Sequence, residues 1–229
     1  MGAPKLINKD FFKKWSPDMA YVLGFFAADG YITVNRRKGQ FWSIQIADRE
    51  LLDEIKKAVK SEHKIGIRLA KKISESNKYR LQIGSIEMCD DLRKLGYDER
   101  KTKSLAIPNI PHKYFSDFVR GYFDGDGNVW VGNMHKDRKI SRDAILVMFT
   151  SCSKNFLIEL QNRLTLLSMP GGCIYSSKKK DFSRLQYSTL NSLKLYNFMY
   201  NRLGSSKLFL KRKKDVFERY IASVAVLVQ

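Results

Sequence analysis

The segment Val22-Leu23-Gly24-Phe25-Phe26-Ala27-Ala28-Asp29-Gly30 returns 97 residues later (24 to 121) as Val119-Arg120-Gly121-Tyr122-Phe123-Asp124-Gly125-Asp126-Gly127. Each copy reads as the end of a helix, with a small residue every fourth position and a glycine where helices commonly stop in the left-handed conformation. Gly24 with Ala28, and Gly121 with Gly125, fall on one face of their helices. Two faces so bare of side chain can pack backbone to backbone, which brings the acids Asp29 and Asp126 to meeting helix ends.

The repeat extends outward from the motif. Two strand-like runs follow each copy (31–35 and 41–46; 128–131 and 145–150), then an apolar-periodic helix (48–59; 153–167), a second strand pair, and a further helix (87–95; 191–203). The closing strands share Arg-Leu-Gln, at Arg80-Leu81-Gln82 and Arg184-Leu185-Gln186. Each copy is therefore α-β-β-α-β-β-α. The fold class is α+β: a pseudo-twofold duplication with two antiparallel saddle-like sheets around two central packed helices. The halves are expected at residues 1–95 and 114–229, joined by a linker over 96–113 that carries Pro108 and Pro111.

Alternation along the closing strands separates Leu81 and Ile83 from Lys78, Arg80 and Gln82, and Leu185 and Tyr187 from Arg184, Gln186 and Ser188. A sheet with helices on one face leaves the polar face outward. The charge says what that face meets: 42 Lys and Arg against 23 Asp and Glu give +19, an excess that suits a polyanion whose counterions are released on binding. Isolated surface charge usually marks only a solvated strand face. Recurrence in both copies, together with the net charge, favours a binding surface for double-stranded DNA, whose major groove admits a β-ribbon. The candidate contacts in the first copy are Tyr31, Thr33, Asn35, Arg37, Ser43, Gln45, Arg68, Lys72, Lys78, Arg80 and Gln82. In the second they are Asn128, Trp130, Thr150, Lys178, Lys180, Arg184, Gln186 and Ser188. Arg and Gln are suited to guanine and adenine edges, the lysines to phosphates.

Two carboxylates meeting at helix C-termini oppose both each other and the helix dipoles, so a cation is needed there. A hard divalent ion such as Mg²⁺ accepts such oxygens, including backbone carbonyls freed at helix ends. Other metal chemistry is poorly supplied. Cys89, Cys152 and Cys173 and the three histidines lack ligand spacing, and read as ordinary side chains in a reducing compartment. The start Asp124, Asp126, Asn128 imitates a calcium loop, but the sixth position is Val129 and the twelfth His135. No apolar run reaches the roughly 18 residues of a membrane span, and there is no signal-peptide h-region, so an intracellular protein is expected, in a bacterial cytoplasm or an organelle matrix. Residues 222–228 are read as a terminal helix or strand packed on the body.

At these motifs the chain resembles the LAGLIDADG homing endonucleases in their monomeric two-motif form, over almost its whole length. The resemblance implies a monomer that cuts both strands of a long, specific DNA site with Mg²⁺, leaving short 3′ overhangs, with Ca²⁺ or Mn²⁺ able to substitute in the site. The family's metal-binding catalytic acid falls on Asp29 and Asp126, and the backbone oxygens before them on Ala28 and Gly125. Ala27 departs from an acid in the first copy, whereas Asp124 retains one. A late lysine near the active site falls on Lys103 and Lys213, with Lys101 and Lys211 as close rivals. The same family implies two alternatives without cleavage, a DNA-binding regulator and a maturase assisting the splicing of intron RNA. A chain that begins Met-Gly-Ala-Pro and ends Val-Leu-Val-Gln fits an isolated endonuclease better than a complete intein.

Overall fold

A computed structural model describes residues 5–72, 74–100, 104–134, 143–169, 171–177, 180–202 and 204–226. The chain divides into two compact units, Met1–Lys101 with Pro108–Gly125 and Gly204–Leu208, and Thr102–Ile107 with Asp126–Leu203 and Phe209–Gln229.

In the first unit, helix α1 (Pro17–Asp29) starts at Ser16, whose hydroxyl accepts the Met19 N–H while Pro17 supplies a preset φ at the first turn. Residues Met19 to Ala27 of α1 are buried on all sides, as a wholly apolar helix requires. Strands β1 (Gly30–Val34), β2 (Gln40–Ile46), β3 (Ile65–Arg68) and β4 (Lys78–Gly84) form one antiparallel sheet in the order β1-β2-β4-β3. Helices α2 (Arg49–Ala58) and α3 (Ile86–Lys94) pack on it. Leu51, Leu52 and Ile55 of α2 and Met88 and Leu92 of α3 share a core with Trp42, Ile44, Leu81 and Ile83. Helix α4 (Phe115–Asp126) follows a single 3₁₀ turn, and as far as Gly125 it lies in this unit.

The second unit repeats the sheet with β5 (Gly127–Asn133), β6 (Asp143–Ser151), β7 (Cys173–Ser176) and β8 (Ser183–Tyr187) in the order β5-β6-β8-β7. Helix α5 (Lys154–Leu166) packs on β6, β7 and β8, and α6 (Thr189–Tyr200) on β6. Residues 105–107 are tied to α5: Ser153 Oγ donates to the Leu105 carbonyl, the Ile107 N–H donates to Glu159, and Arg163 donates to the Ile107 carbonyl.

Three expectations need correction. Gly30 is extended (φ −83°, ψ 158°), not left-handed, because α1 runs directly into β1. A side chain is excluded there by packing: a Cβ on Gly30 would fall 2.1 Å from Cδ2 of Phe26. Gly127 is not left-handed either, since the positive-φ glycines among the described residues are Gly96 and Gly204. The chain also closes with an extra helix, α7 (Lys211–Val226), along β5, and positions 221–225 of it are exposed rather than packed. Among the described residues no helix is long and apolar enough to cross a membrane.

Candidate functional site

The first unit packs α1 and the body of α4 against each other at backbone distance. A methyl placed on Gly24 would lie 2.1 Å from the Phe118 carbonyl oxygen, and one on Gly121 would lie 2.0 Å from that of Tyr21. The contact continues to the helix ends, where a methyl on Gly125 would lie 2.4 Å from Cβ of Ala28 and 3.5 Å from a carboxylate oxygen of Asp29. Only glycine permits this approach, which is the reason the small-residue spacing predicts it. Ala28 and Gly125 are half-buried, while Asp29 and Asp126 end their helices exposed to solvent. Neither helix carries a basic residue in its last turn to offset the dipole.

Asp124 faces inward and is 1% exposed. It accepts a 2.7 Å hydrogen bond from the Tyr21 hydroxyl, joining α4 to α1. The equivalent of Asp124 in the first motif is Ala27 and that of Tyr21 in the second is Phe118, so the bond is made on one side of the pseudo-twofold only.

In the second unit, Lys213 lies on the buried stripe of α7, 6% exposed, and its Nζ donates to the Gly127 carbonyl at 2.6 Å. Gly127 directly follows Asp126. Its rival Lys211 is exposed and pairs with Asp215 at 2.6 Å. Lys103, Lys101 and Lys178 lie outside the described residues.

The outward sheet faces are as the alternation predicts. On the first sheet, Tyr31, Ser43 and Gln82 form one cross-strand row, and Gln45, Arg80 and Gly66 the next, with Arg68 opposite Lys78 at the edge. Lys78 and Arg80 are exposed and Leu81 and Ile83 fully buried. Thr33, Arg37, Arg68 and Lys72 are exposed; Tyr31, Gln45 and Gln82 are half-buried. Ser43 shares this face but its neighbours cover it completely. Asn35 is exposed, yet its side-chain oxygen is engaged in shaping the β1–β2 turn, accepting from Arg37 N–H and Gly39 N–H.

On the second sheet the rows are Asn128, Met148, Gln186 and Cys173, then Thr150, Arg184 and Tyr175, and then Trp130 and Leu146. Asn128, Trp130 and Arg184 are exposed, Thr150 and Gln186 half-buried. The guanidinium of Arg184 lies 5.0 Å from the Phe182 ring. Ser188 and Lys180 are exposed beyond the ends of β8. Tyr187 belongs to the helix-covered face, and burial alone pushes its phenol well above the usual tyrosine range.

Sequence reasoning missed two groups. Met148, Cys173 and Tyr175 lie on the second outward face, and period-two alternation along β6 and β7 would have found them. It also missed a buried polar cluster in the first unit. Arg120, 2% exposed, donates to Asp117 at 2.9 Å and to the carbonyls of Ser206 and Leu208 at 2.7 and 3.0 Å. Ser206 in turn donates to Asp18 of α1 at 2.6 Å.

No cluster of three or more His, Cys, Asp or Glu side chains that could hold a metal occurs among the described residues. The donors the motif helices offer are instead one carboxylate each and the backbone carbonyls beside it, all hard oxygens of the kind a magnesium-like ion accepts.

Residues 16–95 match the family described as LAGLIDADG-like domain. The chain is 31% identical over 182 residues to the probable translation initiation factor IF-2 of Thermococcus kodakarensis, an alignment covering 76% of this chain and 14% of that protein. It is 23% identical over 222 residues to the uncharacterized protein MJ0398 of Methanocaldococcus jannaschii, covering 91% of this chain and 73% of that one. Among solved structures it resembles the LAGLIDADG meganuclease I-AabMI bound to uncleaved DNA (TM-score 0.61, 15% identity, 93% and 91% of the two chains). It also resembles the LAGLIDADG homing endonuclease I-LtrWI bound to target DNA (0.61, 12%, 96% and 91%). A third neighbour is I-SmaMI bound to uncleaved DNA target in the presence of calcium ions (0.59, 12%, 93% and 92%).

Proposed function

Starting from a chain that carries a LAGLIDADG-like domain and the two-motif LAGLIDADG fold, we propose that it is a site-specific endonuclease hydrolysing both strands of double-stranded DNA. The observation that carries the reading is the backbone-level packing of α1 on α4, since it leaves exposed aspartates, Asp29 and Asp126, at the ends of paired helices. A pure binding protein has no use for two acids placed against their helix dipoles. A divalent ion bound there, as calcium is present with the neighbour I-SmaMI, would lower the pKa of an attacking water and offset charge on the phosphodiester.

The protein's own groups have separable roles. Asp29 and Asp126, with the Ala28 and Gly125 carbonyls, would hold the ion. Lys213, fixed by the Gly127 carbonyl, would supply a positive charge beside the second acid's helix end. The two outward faces would set register through lysines and choose bases through Arg80, Gln82, Arg184 and Gln186.

The test is cleavage of a randomised duplex library with Mg²⁺, comparing wild type with Asp29→Asn and Asp126→Asn. Both variants are expected to keep DNA binding and to lose double-strand cleavage by about 10²-fold or more, the scale for removing a group that stabilises transition-state charge. Wild-type cutting by either variant would sink the assignment.

A further inference from the structure

The two outward faces are built on the same register, and three of the positions that differ between them are apolar in the second sheet only. Arg80 and Gln82 on the first sheet correspond to Arg184 and Gln186 on the second, in matching cross-strand rows. Around that shared pair the first sheet places Thr33, Ser43 and Gly66, where the second places Trp130, Met148 and Tyr175. At these three positions small or hydroxylated residues have become large apolar ones, whereas Tyr31 of the first sheet gives way to Asn128. Trp130 is 39% exposed and Tyr175 56% exposed, on the side of the sheet that the helices leave open. A Cβ on Gly132 would meet Cζ2 of Trp130 at 2.5 Å, so the indole packs against the backbone of its own strand. Leu146 sits directly opposite Trp130 and is only 9% exposed.

Trp130 and the half-buried Met148 on neighbouring strands, with Tyr175 beyond β8, put apolar side chains on the open face of a strongly basic protein, as a contact surface does. Arg184 directly opposite Tyr175 and the net charge of +19 point to a polyanionic occupant. The apolar feature that duplex DNA offers in its major groove is the C5-methyl group of thymine, which cytosine and the purines lack. We propose that the second sheet is a thymine reader: Trp130, Met148 and Tyr175 contact thymine methyls on either side of the bases addressed by Arg184 and Gln186. The first sheet, with Thr33, Ser43 and Gly66 at the corresponding positions, lacks these three contacts. This inference rests on the DNA-binding reading above.

The test uses the full chain and needs no knowledge of the natural site. A bound sequence is first selected from randomised duplexes. Arg80→Ala and Arg184→Ala then show which half each sheet contacts, by relaxing base preference there. Each thymine is next replaced singly by deoxyuridine, which removes the methyl and nothing else. Burial of one methyl corresponds to about a fourfold change in affinity, so that loss is expected at two or more thymines of the second-sheet half. Trp130→Thr and Met148→Ser, which install the first sheet's residues, should abolish the thymine-over-uracil preference while leaving the first half unchanged. The deoxyuridine arm alters only the DNA, so a poorly folding variant does not obscure it.

Equal affinity for thymine and uracil throughout the second-sheet half would overturn the inference, even with DNA tightly bound. Concentration-dependent dimerisation abolished by Trp130→Thr, with methyl effects absent, would reassign the patch to a second copy of this chain. Failure to select any DNA would instead sink the endonuclease reading itself.

Discussion

Arg120 is the residue at which the second motif departs most from the first, where Leu23 stands in its place. A guanidinium 2% exposed is costly to bury, and the structure compensates with the Asp117 carboxylate and the carbonyls of Ser206 and Leu208. Arginine suits this position because its planar fork addresses several acceptors at once, which a lysine ammonium cannot do in the same directions. Asp117 also accepts the Ser206 N–H at 2.9 Å, so both charges hold residues 206–208 against α4. Arg120→Leu restores the first copy's residue but strips the cation from a carboxylate only 1% exposed. We expect it to destabilise the fold by about 3–5 kcal/mol, the scale for breaking a buried pair from one side. Adding Asp117→Asn should cost less than the sum of the two single changes, because the penalty lies in the charge left behind. Urea denaturation of the four proteins measures both quantities. Strict additivity would show that Arg120 acts through packing alone.

At the scale of elements, the α1–α4 contact is where sequence and structure agree most closely, and glycine is the reason. Alanine at Gly24 or Gly121 should raise intrinsic helix propensity by about 1 kcal/mol. Against this, its methyl would meet a backbone carbonyl at 2.1 or 2.0 Å, which only separation of the helices can relieve. Overpacking of this kind costs about 1–3 kcal/mol or more, so both variants should melt lower than wild type, whereas Gly66→Ala, with 3.8 Å to its nearest neighbour, should not. A thermal melt that leaves Gly24→Ala unchanged would mean the contact is looser than it looks.

The same spacing argument made the strands and their faces legible, because period-two alternation and the repeated Arg-Leu-Gln are local signals. It did not reveal α7 beyond a terminal helix or strand at 222–228. The buried stripe of that helix runs Lys213, Phe217 and Tyr220, and the lysine that opens it breaks the apolar period that would announce it. That interruption is informative once the helix is known, since a lysine at a core-facing position separates Lys213 from its exposed neighbour Lys211. Nor was the Arg120 cluster legible: its acceptors are backbone carbonyls 86 and 88 residues away, and no side-chain pattern encodes a backbone partner.

For the whole molecule, the net charge of +19 and the residues on the two faces make different contributions to binding, and salt separates them. Phosphate contacts release counterions, so the logarithm of the binding constant should fall linearly with the logarithm of salt concentration, by about 0.9 per phosphate neutralised. Lys78 and Arg68 face each other at the edge of the first sheet, both exposed, and belong to this class. Removing either should weaken binding to all sequences alike and reduce the salt slope by about 1. Arg80 stands one row further in, between Gln45 and Gly66, where its fork has no side chain on the Gly66 side to block it from a base edge. Arg80→Ala should cost about 1–3 kcal/mol on the preferred sequence, far less on others, and should relax preference at one or two positions. Titrations of both variants at several salt concentrations, on selected and scrambled duplexes, distinguish the classes. A uniform loss with Arg80→Ala would move it among the phosphate contacts and leave base choice in the first half to Gln45 and Gln82. A sequence-dependent loss with Lys78→Ala would extend the reading surface to the sheet edge.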